Sequence, residues 1–243
     1  MTKLTGMKEL IRPSTVLPAV RTPISFVTAD GLNLIGELSR PSEGDDQTGI
    51  LCLHPLPTHG GMMDSHIFKK AANRLPAMAG ITVVRFNTRG TKSEQGNSEG
   101  EFGNGVNEKE DVIAAVNYCF NQLGIKNLWV VGWSFGTDLA LRYARDSRIL
   151  GLILLSPPLR FSDAADLDFW ANDRRPITAL IPEFDDFLKP DEAERRFSKI
   201  PQIELIAVKD AKHLWVGEPF VYRVLSEIVR KVKPEKLPLP IEV

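Results

Sequence analysis

The sequence predicts an α/β fold: a mostly parallel, eight-stranded sheet with helices on both faces. Three observations predict it. Two strand-like runs come first after an N-terminal extension, and short apolar runs then alternate with longer helix-patterned ones, as strands and crossover helices do. The length of 243 residues suits one large α/β domain better than two small ones. Finally, Gly132-Trp133-Ser134-Phe135-Gly136 stands between an apolar, β-branched run and a helix-forming run, which marks a sharp strand-to-helix turn.

Residues 1–19 contain Pro13 and Pro18 and show no clear period. They read as an N-terminal extension lying on the surface or on a partner. Residues 20–28 and 32–39 are strand-like and joined through Asp30-Gly31, a strong hairpin signal. Residues 41–49 form a polar loop. Strands are expected at 50–53, 81–86, 128–131, 149–155, 177–181 and 203–208. Helices are expected at 64–78, 107–123, from Phe135 through Ala144, 191–197 and 219–232. A long Gly/Ser/Asn-rich loop covers 87–105, and a connecting segment covers 157–176. The domain proper is expected to span 20–232, with residues 233–243 a Pro-rich, extended tail.

Composition narrows the function classes. A formal net charge of -1 gives no basic field for nucleic acid. With 43% apolar and 25% charged residues the composition is that of an ordinary globular protein. No window approaches eighteen apolar residues, and the first twenty lack an apolar signal-peptide core, so a cytoplasmic protein with no membrane partner is expected. The two cysteines, Cys52 and Cys119, fall at core positions and read as buried, reduced thiols. His54, His59, Asp64 and His66 match no zinc spacing, so no metal or other cofactor is expected.

The chemistry centres on Ser134. Flanking glycines remove Cβ atoms that would clash in a tight turn, and the serine then lies at a helix N-terminus, which favours a developing negative charge. A serine hydroxyl needs a base, and the base needs an orienting acid. In folds with such an elbow the chain order is Ser, acid, His. Of four histidines only His213 follows Ser134, in a loop expected just past a strand. The acid must precede it, also past a strand. Asp185 and Asp186 are the candidates, with Asp163 an outside third; composition does not choose among them. Asp138, in the first turns of the elbow helix, reads as structural. An oxyanion hole needs two N–H donors. Phe135, after the nucleophile, supplies one. In the loop after strand 50–53, Pro55 and Pro57 have no N–H, which leaves Leu56 as the second.

Four stretches carry a resemblance: LCLHPLPTHGGMMDSH, VVRFNTRGTKSEQGNSEGEFGNG, VVGWSFG and GLILLSPP. With them the chain resembles the α/β-hydrolase superfamily over nearly all of residues 20–232, and within it small bacterial serine hydrolases that are nearly lidless. The resemblance implies an α/β-hydrolase fold with a minimal lid, Ser134 as nucleophile, His213 as base and Leu56 as oxyanion donor. The acid motif there reads G-x-x-D. Here Pro182 replaces the glycine, and Asp185 takes the aspartate position with Asp186 beside it. Arg85 and Arg89 also match family positions and read as structural pairs. The expected activity is cleavage of a carboxylic ester or related small acyl compound by a monomer or homodimer. Thioesterase, peptidase and acyltransferase share that machinery, and a binding protein on the same scaffold is the alternative. The segment 157–176 is too short for a helical cap domain, and Phe161, Phe169 and Trp170 are expected to form one wall of an open site.

Overall fold

The computed structural model describes residues 9–44 and 47–242. The chain opens with the expected hairpin. Strands β1 (Val20–Val27) and β2 (Asn33–Arg40) pair antiparallel along their whole length. Gly31 closes the turn at φ +87°, a conformation that side chains resist. There follow β3 (Thr48–Leu53), α1 (His66–Ala79), β4 (Thr82–Phe86), a two-residue ladder of β5 (Lys92–Ser93) with β6 (Gly96–Asn97), and α2 (Glu108–Asn121). The second half holds β7 (Asn127–Trp133), α3 (Phe135–Tyr143), β8 (Ile149–Leu155), α4 (Ala164–Asp173), β9 (Ile177–Phe184), α5 (Pro190–Arg196), β10 (Ile203–Lys212) and α6 (Glu218–Val232).

Eight strands make one sheet in the order β1-β2-β4-β3-β7-β8-β9-β10. β2 runs antiparallel to β1 and β4, and every other neighbouring pair is parallel. Central parallel strands are covered on both faces, which is why β3, β4 and β8 read as nearly unbroken apolar runs. Alternation still sorts their side chains. Leu51 and Leu53 of β3 pack with α2 and α3, whereas Ile50 and Cys52 pack with α1 and α6. Cys52 and Cys119 are free, buried and on opposite faces of the sheet; burial pushes the Cys52 thiol up to about 12.

The structure differs from the sequence expectation in several places, among them the β5–β6 ladder inside the expected loop 87–105. The connecting segment contains helix α4, capped by Asp163, whose side chain accepts from Asp166 N–H while Asp166 accepts from Asp163 N–H. Trp170 on that helix is fully buried, with Nε1 donating to the Leu141 carbonyl, so it is core and not a wall of the site. β9 continues through Pro182 to Phe184. The pairing of β8 with β9 stops at Leu155 and Leu180, so the missing Pro182 N–H breaks no ladder on that side. β10 likewise continues to Lys212 through residues expected to be a loop, with its register to β9 shifting between Val208 and Lys212 and Asp210 at φ +58°.

The ends of the described chain lie together. Leu10 pairs with Glu242, and Ile11 N–H donates to the Ile241 carbonyl. Leu239 in the tail is buried, and Tyr222 Oη donates to its carbonyl. Residues 9–19 are tied to α1, where Leu17 N–H donates to Asn73 O. The extension's residues 1–8, two residues of the 41–49 loop and the last residue of the tail lie outside the described residues. Among the described residues no helix is long and apolar enough to cross a membrane.

Candidate active site

Ser134 sits where β7 ends and α3 begins, at φ +51° and ψ −120°. A serine holds that backbone only where its surroundings impose it. Two glycines make the imposition possible. A Cβ on Gly136 would lie 1.9 Å from the Leu53 carbonyl oxygen, and one on Gly132 would lie 2.4 Å from the Gly136 oxygen. The turn therefore packs backbone on backbone. Ser134 N–H donates to Leu155 O at 2.9 Å, which ties the turn to the end of β8.

His213 follows β10 directly, and its Nε2 lies 2.9 Å from Ser134 Oγ. Its Nδ1 lies 2.9 Å from Asp185 Oδ2. A carboxylate accepts only, so Nδ1 carries the proton and Nε2 accepts the serine hydroxyl. Asp185 follows β9 and is 2% exposed. Its other oxygen accepts the N–H groups of Phe187 (2.8 Å) and Leu188 (3.2 Å). Of the three candidate aspartates, only Asp185 meets His213. Asp186 is exposed at the cavity, and Asp163 caps α4.

Leu56 lies in the loop after β3 and faces the same cavity as Ser134 and Phe135. Its N–H has no acceptor among the described residues. The first N–H groups of a helix have no intrahelical acceptor either, and Phe135 is the first residue of α3. His54 fixes the loop. It is 1% exposed, its Nδ1 donates to the Pro55 carbonyl (2.7 Å), and its Nε2 accepts from Thr88 N–H (3.1 Å). Burial pulls its pKa down to about 4, so it is a neutral strut. Further along the same loop, Asp64 and the Met63 carbonyl accept from Arg85, which also pairs with Glu37. Arg89 pairs with Asp30 and Asp111. Both arginines are therefore committed to structural pairs.

The cavity above Ser134 has a volume of about 310 Å³. Its walls are apolar, from Leu56, Phe135, Pro158, Phe161, Phe187 and Leu214, with Arg160 and Asp186 as charged groups among its lining. Phe161 is the one member of the expected aromatic wall that lines it. Asp138 holds that side in place: it is fully buried and accepts Ser162 N–H (2.9 Å) and Ser162 Oγ–H (2.6 Å), so its structural role extends from its own helix to the loop after β8. Burial raises its pKa against those hydrogen bonds. A depression of about 490 Å³ between the β1–β2 turn and α2 is larger but has no serine, cysteine or histidine in its lining. Among the described residues no group of three or more His, Cys, Asp or Glu is placed to hold a metal ion.

Sequence reasoning missed the donors that hold the backbone of His213. Its carbonyl accepts Trp133 Nε1–H (3.2 Å) and Ser156 Oγ–H (3.1 Å), and His66 Nε2 donates to the next carbonyl, that of Leu214 (2.6 Å). These residues are far apart in sequence, and no local pattern marks such bonds. Trp133 was visible only as the variable residue before the serine.

Comparison with known proteins places the chain. An uncharacterized protein of Rickettsia prowazekii is 31% identical over 146 residues; the chain spans 59% of the length of this curated relative. An α/β serine hydrolase without a lid from Xanthomonas campestris superposes with a TM-score of 0.69 at 25% identity, covering 93% of this chain and 99% of that one. An α/β serine hydrolase homologue from Coxiella burnetii gives a TM-score of 0.73 at 24% identity, covering 87% and 97%. An esterase from Pyrococcus furiosus gives 0.70 at 19%, covering 88% and 93%. The sequence profile of the α/β hydrolase fold matches residues 50–208, which include the Ser134 elbow and Asp185, and the sheet order and elbow agree with it. The chain belongs to the α/β hydrolase fold family.

Proposed function

We propose that the chain is a serine hydrolase that cleaves a carboxylic ester or related small acyl substrate through an acyl-enzyme on Ser134. The observation that carries this reading is the hydrogen-bonded chain Ser134–His213–Asp185, with two links of 2.9 Å, opening on an apolar cavity. A Xanthomonas campestris serine hydrolase of the same fold supports it.

The geometry suits a two-step acyl transfer. As Ser134 Oγ attacks the carbonyl carbon, its proton passes to His213 Nε2. The Asp185 carboxylate keeps the imidazole in the right tautomer and stabilises the imidazolium. The carbonyl oxygen, now an oxyanion, takes hydrogen bonds from the Leu56 and Phe135 N–H groups. His213 then protonates the leaving alkoxide and the acyl–oxygen bond breaks. Water repeats the sequence, with His213 as base, and releases the acid.

The walls around Ser134 are apolar, and among the described residues no cap domain covers them, so the acyl group is small or short-chained and binds without interfacial activation. The partner is a small acyl compound, and the reaction uses no cofactor.

The test is a panel of p-nitrophenyl and thioester acyl chains assayed on wild type and Ser134→Ala, together with fluorophosphonate labelling of folded protein. Turnover and labelling that both vanish in Ser134→Ala are expected. A folded wild type that neither labels nor turns over any acyl chain would make the chain a binding protein on a hydrolase scaffold.

A further inference from the structure

We propose that Trp133 and Ser156 are positioning residues for the base: they grip the backbone of His213 and thereby set its imidazole between Ser134 and Asp185. The inference rests on the hydrolase reading and adds to it.

After Val208 the sheet holds this stretch of chain only at Lys212, which pairs with Phe184. β10 is the last strand, paired on one side only. Its register to β9 is broken between Val208 and Lys212, and non-glycine residues on either side of His213, Asp210 and Trp215, have φ of +58° and +54°. A base on such a segment needs another anchor, because a displacement of about 1 Å can cost two orders of magnitude in rate.

The anchor is the His213 carbonyl. Trp133 Nε1–H reaches it at 3.2 Å from the end of β7, and Ser156 Oγ–H at 3.1 Å from just past β8. A carbonyl has two lone pairs and accommodates both donors. Trp133 and Ser156 are 2% and 1% exposed, so water does not replace either bond. Ser156 holds a strained φ of +50°, with its N–H bonded to Leu180 O at 3.0 Å. Strain of that kind persists where surrounding structure imposes it. Trp133 also immediately precedes the nucleophile. Residues 133 and 134 therefore grip His213 at two points, the indole at the backbone and the serine hydroxyl at the ring.

The experiment compares Trp133→Phe, Ser156→Ala and the double variant with Trp170→Phe. Phenylalanine keeps a ring against His66 and Phe68, which pack edge-on to Trp133. Trp170 is a matched control, since its Nε1 also donates to a backbone carbonyl, that of Leu141 at 2.8 Å, away from the cavity. Either single variant should lower kcat about tenfold with KM within about twofold, and the double about a hundredfold. Trp170→Phe should lower Tm yet leave kcat within about twofold. The low-field proton NMR signal of the Nδ1–H shared with Asp185 should sharpen in wild type and broaden in the double variant.

A folded double variant with wild-type kcat and an unchanged signal would overturn the positioning role. If the double variant does not fold, Trp133→Phe alone decides: kcat unchanged with Tm lowered as in Trp170→Phe overturns the role. Fluorophosphonate labelling of wild-type Ser134 is read separately, and its failure would overturn the hydrolase reading itself.

Discussion

Lowering the pH should destabilise this protein through His54 before most carboxylates titrate. His54 is 1% exposed, and burial pulls its pKa from 6.5 to about 4. Desolvation sets that direction and outweighs the bond from Nδ1–H to the Pro55 carbonyl, which pulls the other way. A second proton would go to Nε2, which in the folded protein accepts the Thr88 N–H. In the unfolded chain the imidazole titrates near its ordinary value. Between pH 6.5 and about 4 the unfolded state thus binds more protons than the folded one. Stability is full above pH 6.5, falls as the pH drops through this window, and levels off below it. A gap of about 2.5 pH units at ~1.4 kcal/mol each is worth about 3 kcal/mol, most of it lost by pH 4.5. The assay is urea unfolding followed by tryptophan fluorescence at pH 7.5 and 4.5, in wild type and His54→Gln. Glutamine keeps a donor and an acceptor but has no charge to gain. The variant should start less stable and then lose about 2–3 kcal/mol less than wild type over that interval. Every other titrating group, including the partly buried His66, is common to both proteins and cancels. Parallel pH dependences would refute the argument.

Three further outcomes are expected. Ser134→Ala and His213→Ala should each lower kcat by on the order of 10⁶, with the double variant hardly worse, because the groups act as a unit; near wild-type hydrolysis by His213→Ala would mean a different base. Asp185→Asn should lose about 10⁴ in kcat through the wrong imidazole tautomer, while the exposed Asp186→Asn loses at most about tenfold. Measuring both on one ester, with folding checked by circular dichroism, would expose a reversed ranking and move the acid to Asp186. Gly136→Ala puts a methyl 1.9 Å from the Leu53 carbonyl, so unfolding in urea should show a loss of about 3 kcal/mol or more and labelling of Ser134 should fail; a stable, reactive variant would contradict the close packing at the elbow.

Much of this arrangement was legible in the sequence, for reasons that also explain the gaps. The mostly parallel sheet follows from alternation and apolar runs, because strands buried on both faces need them. Ser134 and His213 were legible because the elbow has its own signature and one histidine follows it. Leu56 followed from the missing N–H groups of Pro55 and Pro57. The choice of Asp185 over Asp186 was open to residue patterns, since it depends on which side chain the end of β9 turns inward; the structure turns Asp185 onto His213 and leaves Asp186 exposed. Helix α4 escaped notice although Asp163 and Asp166 form its capping box, because its face is short and only Asp166 and Trp170 are buried. Trp170 was misread as a wall because an aromatic in a connecting segment gives no sign of whether it turns toward the cavity or the core.

β8 lies where it was expected, at 149–155; what the sequence hid is the bracing from its tip, and the sheet order explains that part. Across five adjacent strands, β3 carries the Leu56 loop, β7 Ser134, β9 Asp185 and β10 His213. β8 lies in the middle of that series and carries no member of the reactive set, so a search for reactive residues passes over it. Yet its tip touches both sides. The Leu155 carbonyl accepts Ser134 N–H, and Ser156 bonds onward to the Leu180 carbonyl and to the His213 carbonyl. Ser134 is built on a strand paired on both sides, whereas His213 follows the edge strand of the sheet. Holding a 2.9 Å contact between a rigid element and a loosely held one needs a brace from the strand between them. Ser156, at a backbone angle a serine seldom takes, is where that brace is found.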